Sequence, residues 1–418
     1  MGLLFKVGAR SSPLSKAQVV EVEKALNTSF EKVWIDTTGD RRKEISLKTL
    51  GKTDFFTKEI DEALLKGNID FAIHSAKDLP EPLAKGLSIV AITKGLDPRD
   101  TLVLRGGETL KNNARIGTST KRREEIVKQL CPKATIVDIR GNVGERIDQV
   151  LSGRIDALVA PEAALIRLEL THLNRIYLPG ETAPMQGKLA IVARAGDKKV
   201  SDFFHPIDSR PTLYTGLRAP NDTVLHYPLI KTMPLEGSFN GLEKASHLLF
   251  TSRTAVELFL SQRKIPDHLK VVAIGQATAK AIGSRVDITA KEETSEGVVE
   301  AVKDLQNPQF FWPHSAKSRR VIPDAFKKMG FKLSECILYD TITLHPKEKV
   351  PLDNVSEVVF TSPSTVDAFI EIYGTLPQRI VCLGPTTERR VQDHWGAHHQ
   401  EALLALRPSA LAPPLAAL

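Results

Sequence analysis

Short apolar runs, each broken off at a polar turn, alternate along the chain with longer stretches whose apolar residues recur at helical spacing. The runs read as buried strands and the longer stretches as amphipathic helices. The first run covers residues 5–9. Ser12-Pro13 then opens a helix, with a hydroxyl at the N-cap and Pro at the first helical position. Similar strand–turn–helix units begin near Ile69, Arg115, Thr135 and Ile155. Alternation of this kind predicts an α/β fold with mostly parallel, doubly wound sheets.

Residues 196–210, with Lys198-Lys199 and His205-Pro206, interrupt the pattern and read as a connector. Beyond them Ser and Thr, rather than Arg, dominate the turns. This second half repeats itself. Leu249-Phe250-Thr251-Ser252 recurs as Val359-Phe360-Thr361-Ser362, and Ile274-Gly275-Gln276-Ala277-Thr278 recurs as Leu383-Gly384-Pro385-Thr386-Thr387, at spacings that agree to within one residue. Two matched pairs predict two similar α/β lobes; a solenoid would need more and shorter repeats. The tail, residues 399–418, is rich in Pro, Ala and Leu and is expected to fray.

At 418 residues the chain exceeds what one core normally supports, so several domains are expected. No apolar run approaches the ~20 residues of a membrane span. The start, Met1-Gly2-Leu3-Leu4-Phe5-Lys6, turns polar too early for a secretory signal. Cys131, Cys336 and Cys382 are scattered, without metal-ligand spacing. A reducing, cytoplasmic compartment is expected, with neither a disulfide framework nor a metal site. The net charge of +7 is spread along the chain with no basic run interleaved with aromatics, which favours a small acidic substrate over nucleic acid.

Four turns of the first half carry the candidate chemistry. Ile69-Asp70-Phe71-Ala72-Ile73 is an apolar run that stops at His74-Ser75-Ala76-Lys77-Asp78-Leu79-Pro80. Residues just past the carboxyl end of a strand face the ligand crevice in open α/β sheets. The others are Gly8-Ala9-Arg10-Ser11-Ser12, Gly117-Thr118-Ser119-Thr120-Lys121-Arg122-Arg123 and Arg140-Gly141-Asn142-Val143-Gly144-Glu145-Arg146. Free N–H groups at a helix start attract anions, and Arg adds a planar fork that fits carboxylates. Any one such Arg is ordinarily just solvated; three Arg-bearing turns in one α/β unit point to a ligand with several carboxylates or phosphates. No Gly-rich loop ending in Gly-Lys-Ser/Thr occurs, which argues against a nucleoside triphosphate.

Arg10-Ser11-Ser12-Pro13-Leu14, His74-Ser75-Ala76-Lys77-Asp78-Leu79-Pro80, Asp97-Pro98-Arg99-Asp100, Gly117-Thr118-Ser119, Arg122-Arg123 and Arg140-Gly141-Asn142-Val143 together resemble the porphobilinogen deaminase (hydroxymethylbilane synthase) family. The resemblance implies two doubly wound lobes like those of a type II periplasmic-binding protein, with domain 1 from 1–98 plus 187–206 and domain 2 from 99–186. It implies that Asp78 is the catalytic carboxylate, steadying the cationic pyrrole formed as ammonia leaves porphobilinogen. Arg10, Lys77, Arg122, Arg123, Arg140 and Arg146 are then expected to hold acetate and propionate groups, with Ser12, Thr118, Ser119 and Gln186 as further binding residues. The family's third domain, which carries the Cys that anchors a dipyrromethane primer, has no counterpart in the connector. The primer is still expected, and its attachment stays open among a noncovalent hold, another thiol and a separate subunit. The family's Gly-rich loop reads Gly51-Lys52-Thr53-Asp54-Phe55-Phe56 here, and its usual turn before the return to domain 1 reads Ala183-Pro184-Met185-Gln186-Gly187.

In the second half, Phe250-Thr251-Ser252, Gly275-Gln276-Ala277-Thr278-Ala279, Thr294-Ser295-Glu296-Gly297, Tyr339-Asp340-Thr341, Phe360-Thr361-Ser362-Pro363 and Gly384-Pro385-Thr386-Thr387 resemble uroporphyrinogen-III synthase. The resemblance implies two parallel α/β lobes, 211–231 plus 346–398 and 232–345, joined by two crossover segments. Tyr339 is expected to assist loss of the hydroxyl from hydroxymethylbilane, and Thr251, Ser252, Thr278, Ser362, Thr386 and Thr387 to contact substrate. His314, Ser315, Lys317 and Arg319 follow a strand and are further candidates for carboxylates. For any single Thr or Ser, N-capping alone is an adequate explanation. The expectation is a bifunctional tetrapyrrole enzyme: condensation of four porphobilinogens, then cyclisation with inversion of the last ring. Two alternatives stand beside it: a front half that only binds or delivers substrate, and a pair of non-catalytic solute-binding modules.

Overall fold

The alternation of apolar runs and helical stretches resolves into four sheets in two units. The computed structural model describes residues 5–42, 54–283 and 285–395. Gly51-Lys52-Thr53 and the tail 399–418 lie outside the described residues. The chain divides into Met1–Pro211 with Pro351–Ser356, and Thr212–Val350 with Glu357–Leu418.

The first unit holds two five-stranded sheets of matching design. One runs in the order Glu31–Ile35, Lys6–Arg10, Phe71–Ser75, Leu189–Arg194, Leu87–Ile92. The other runs Thr135–Val137, Arg115–Gly117, Ala157–Pro161, Asp100–Leu104, Arg175–Tyr177. Both are mixed rather than parallel: Leu189–Arg194 and Asp100–Leu104 each run antiparallel to both neighbours. Those two strands follow the two connections between the sheets, which reverses their direction. The connections run side by side, with Leu96 N donating to Gly187 O at 3.1 Å. Gly187 has φ +87°, and a Cβ there would meet the Leu96 carbonyl oxygen at 2.5 Å, so only glycine suits this crossing.

The stretch read as a connector contributes two side chains to the core. Residues Lys198–Phe204 form a helix whose Val200 and Phe204 are buried in the first sheet's cluster with Phe5, Phe30 and Phe71. Phe204 meets Phe71 edge-on at 4.6 Å between ring centroids. Its Lys-Lys and His-Pro flanks masked a Val-x-x-x-Phe helical face.

In the second unit, one sheet is parallel throughout: Leu225–His226, Thr212–Tyr214, Glu357–Phe360, Ile380–Cys382. The other runs Ile230–Pro234, Lys332–Thr343, Gln309–Ser315, His247–Phe250, Lys270–Ala273, Ile288–Thr289, and only its first pair is antiparallel. The sequence repeat is a structural one. His247–Phe250 leads into helix Arg253–Gln262 and Glu357–Phe360 into helix Pro363–Tyr373, with Ser252 and Ser362 at the N-cap positions.

Candidate active sites

In the first unit, strand ends from both sheets border one cavity of about 550 Å³. Strand Lys6–Arg10 brings Arg10, and Ser12 caps the helix after it, its Oγ accepting from Ser15 N at 3.2 Å. Strand Phe71–Ser75 ends in a single 3₁₀ turn, Ala76–Asp78, which sets Lys77 and Asp78 on the cavity wall. Asp78 is exposed and accepts no hydrogen bond from any described residue. Lys77 is half-buried and donates to Gln186 Oε1 at 3.1 Å. The pair is therefore split between wall and opening, not buried together. Burial, only partly offset by Asp78, pulls the Lys77 ammonium down to about 8. His74 lies behind them, fully neutral at pH 7: burial and then the charge of Arg10 push it down to about 4.

The arginines fall into different environments. Arg10 makes a two-pronged ion pair with Asp40 (Nε–Oδ2 3.1 Å) and lies over the Phe56 ring, 4.4 Å from its centroid. Burial works to raise Asp40, but Arg10 and the Thr37 donors outweigh it and hold the carboxyl below its ordinary range. Arg123, buried, and Arg122 both bind Asp100: Arg123 Nη2–Oδ1 2.7 Å, Arg122 Nη2–Oδ2 2.6 Å. Arg123 still lines the cavity; Arg122 does not, and its other prong donates to the Glu181 carbonyl at 2.7 Å. Arg140 and Arg146 line the cavity from the turn that opens helix Val143–Leu151. Arg146 Nε donates to Gly141 O at 2.8 Å, and burial plus the charges of Arg123 and Arg140 pull its guanidinium down to about 10. Ser119 lines the cavity while its hydroxyl donates to Ile139 O, whereas Thr118 is buried outside the lining with Oγ1 unpartnered among the described residues.

Two contributors escaped the sequence reading. Arg167 lines the cavity from helix Glu162–Arg167, donating to Glu21 (Nε–Oε2 2.7 Å) and to Gly187 O (2.8 Å). Asp100 sits in the quoted Asp97-Pro98-Arg99-Asp100 motif, but nothing in a motif says which cations will converge on its carboxylate. Among the described residues, eight cationic side chains against three carboxylates line the cavity. Beyond burial, the charges of Arg123 and Arg140 weigh against the Arg146 guanidinium, and a ligand with several carboxylates would offset them. A dipyrromethane bearing acetate and propionate arms fits that donor set. No cysteine lines the cavity. Cys131 is buried at the end of helix Lys121–Leu130, its Sγ donating to Asn112 O at 3.1 Å. Cys336 and Cys382 belong to the other unit, where burial pushes their thiols up to about 11 and 12.

The second unit assembles hydroxyls instead. Ser252 Oγ accepts from Ala255 N at 3.0 Å and lies 2.8 Å from the Tyr339 hydroxyl, so one serine oxygen caps the helix and hydrogen-bonds the candidate phenol. Tyr339 is 8% exposed, and burial raises it above the ordinary phenol value despite Ser252. Thr251 Oγ1 accepts from Trp312 Nε1 at 3.0 Å, which commits one lone pair to the fold. Thr278 is buried in the first turn of helix Gln276–Ile282. Ser362 stands at the head of helix Pro363–Tyr373 with its Oγ unpartnered among the described residues, and Thr386 and Thr387 stand in the first turn of helix Pro385–Trp395. His314 is stacked on Trp312 at 4.0 Å, with Nδ1 on its neighbour's carbonyl, and Arg319 pairs with Glu296.

Comparison with known proteins matches the two units to two families. Residues 5–202 match the porphobilinogen deaminase, dipyrromethane cofactor-binding domain, and residues 213–402 match uroporphyrinogen-III synthase HemD. A probable porphobilinogen deaminase of Chlamydia pneumoniae is 42% identical over 211 residues, covering 49% of this chain and 89% of that protein. A porphobilinogen deaminase of Caldicellulosiruptor saccharolyticus is 41% identical over 195 residues, 45% of this chain and 67% of that protein. The crystal structure of uroporphyrinogen-III synthetase from Helicobacter pylori aligns over 47% of this chain and 97% of its own, at 16% identity and a TM-score of 0.36, a likeness too slight to argue from. On the sequence matches, the chain belongs to the porphobilinogen deaminase family through its first half, fused in one polypeptide to a uroporphyrinogen-III synthase domain.

Proposed function

We propose that the first half joins four porphobilinogen molecules, with loss of ammonia, into hydroxymethylbilane, and that the second half closes this product to uroporphyrinogen III with inversion of the last pyrrole. The chain is a bifunctional enzyme of tetrapyrrole biosynthesis. The deaminase half is taken as 1–98 with 187–206 and 99–186, the synthase lobes as 211–231 with 346–398 and 232–345.

The observation that carries the reading is Asp78: a solvent-facing carboxylate with no hydrogen-bond partner among the described residues, in one cavity with Arg10, Arg123, Arg140 and Arg146. An acid not already spent on the fold is available to a developing cation. At about 4 Å and an effective dielectric near 20, such a pair is worth about 4 kcal/mol. That corresponds to roughly a thousandfold in rate if realised only in the transition state. Arg140 and Arg146 are assigned to the acetate and propionate arms, with Arg123 beside them and Ser12 and Ser119 as hydroxyl donors. Arg10, its charge balanced by Asp40, reaches the ligand only by sharing that carboxylate's place. Arg122 holds Asp100 and does not touch the ligand.

When bound, the dipyrromethane would supply the terminal pyrrole carbon to which the first porphobilinogen is joined, each later unit joining the ring added before it. Arg140, Arg146 and Arg167 would hold it, and with no thiol on the cavity wall the hold is ionic. Intact-mass spectrometry tests this: a dipyrrole-sized increment under native conditions that vanishes on denaturation is expected, and an increment that survives denaturation refutes it.

In the second half Tyr339 is the proton donor to the departing hydroxyl, aligned by Ser252, with Thr278, Ser362, Thr386 and Thr387 receiving the carboxylates. Tethering keeps the unstable bilane close to its second enzyme. The whole reading is tested by feeding porphobilinogen to the purified chain and resolving the oxidised porphyrin isomers. Isomer III is expected; unconsumed porphobilinogen would overturn the deaminase assignment, and the unrearranged isomer alone would overturn the synthase assignment.

A further inference from the structure

We propose that Asp100 and Gln186 are positioning residues that aim the Lys77 ammonium into the crevice beside Asp78, and that Arg122 serves this pair instead of the substrate. The proposal deepens the deaminase reading and rests on it for its catalytic meaning.

A carboxylate beside a site that must attract carboxylates needs a reason. Asp100 is 2% exposed and absent from the cavity wall, at the first residue of strand Asp100–Leu104. Four donors reach it: Arg122 Nη2 at 2.6 Å, Arg123 Nη2 at 2.7 Å and Nε at 3.1 Å, and Gln186 Nε2 at 2.9 Å. Gln186, 3% exposed, also donates from Nε2 to Pro98 O at 2.6 Å. Its Oε1 receives Lys77 Nζ at 3.1 Å and Arg123 Nη2 at 3.4 Å. One end of this amide faces two groups that only accept and the other faces two that only donate, so it has a single workable orientation. The acceptors dictate that Oε1 points at Lys77.

The topology explains why this arrangement needs three segments. Lys77 comes from the turn after Phe71–Ser75, Asp100 from the strand entered by the outward connection, and Gln186 from the return connection. The network ties one sheet to the other at the base of the cavity, next to the side chain adjacent to Asp78 in sequence. Lys77 uses one proton on Gln186 and has two left for the crevice.

The charged groups facing Lys77 are Asp78 on its own turn, Asp100 on the neighbouring strand, and Arg122 and Arg123 on helix Lys121–Leu130. The carboxylates favour its charged form and the guanidiniums oppose it. Removing the Asp100 charge takes away a favourable neighbour and unmasks two unfavourable ones, so both changes act in one direction.

The test is competitive trace acetylation of the full chain, free of substrate, as a function of pH, with each lysine read by peptide mass spectrometry. In the unmutated chain Lys77 is expected to titrate near pH 8. Asp100→Asn should lower that midpoint by about half a pH unit or more, and Gln186→Glu should raise it by a similar amount. Exposed lysines such as Lys85 should not move. The alkaline limb of kcat/KM for porphobilinogen should follow in the same directions. A purely structural role would depress activity at every pH without opposite shifts. If Asp100→Asn does not fold, Gln186→Glu and the near-isosteric Gln186→Met still decide: a Lys77 midpoint unchanged in both overturns the proposal. Failure of the unmutated chain to consume porphobilinogen would instead sink the deaminase reading, leaving the labelling result to stand.

Discussion

The two halves of this chain line their candidate sites by different means. The front cavity gathers guanidinium groups closely enough that the charges of Arg123 and Arg140 add to burial in lowering Arg146, and Asp78 stands beside them with no hydrogen-bond partner among the described residues. The rear half presents neutral hydroxyls at helix starts, several already engaged in capping or, like Thr251, in holding a core Trp. Net charge gives reach and strength but must be balanced by carboxylates such as the half-buried Asp40 and the buried Asp100. Helix-start donors need no balancing, yet they act only within the first turn. On the proposed function the chemistry differs accordingly: the front would steady a cation at each coupling while gripping a growing chain, and the rear would protonate a departing hydroxyl and close a ring.

The largest separation of the halves should come from Asp78→Asn. Porphobilinogen consumption is expected to fall roughly a thousandfold while cyclisation of supplied hydroxymethylbilane is unchanged; comparable losses in both would mean that the halves are not independent. Phe204→Ala comes next. It empties the aromatic cluster of the first sheet and should cost about 3–5 kcal/mol, seen as a lower urea midpoint for the front unit with the rear transition in place. A small effect would restore the connector reading of that segment. Tyr339→Phe should slow cyclisation by roughly ten- to a hundredfold and shift the product toward the unrearranged isomer, with deamination untouched. The smallest effect sharpens the contrast most directly. Raising salt from about 0.05 to 0.3 M should increase KM for porphobilinogen several-fold while changing KM for hydroxymethylbilane much less, because screening acts on net charge more than on hydrogen-bond donors.

How much of this was legible beforehand varied with distance along the chain. The Ser12 cap, the abrupt strand end at Asp78 and the doubled strand–Ser–helix unit at Ser252 and Ser362 are local, and each was read within a few residues of itself. The mixed character of the front sheets was not, since Leu189–Arg194 joins its sheet only after an entire second lobe has been threaded. The helix inside residues 196–210 does not show in the pattern, because charged flanks conceal it and its buried face is completed by Phe5, Phe30 and Phe71 from elsewhere.

Arginine marks the boundary most clearly. That many guanidinium groups gather near a strand-end acid was determined by sequence alone, because they sit in turns that strand-to-helix geometry sends to one edge. Which of them line the cavity was decided only by the tertiary structure. Arg122 and Arg123 are adjacent in the chain, yet only Arg123 reaches the cavity, and Arg167, without a motif, does too. A long flexible cation goes to whichever carboxylate the fold brings within about 3 Å, and Asp100, Asp40 and Glu21 are brought there by chain segments far from the arginines they hold.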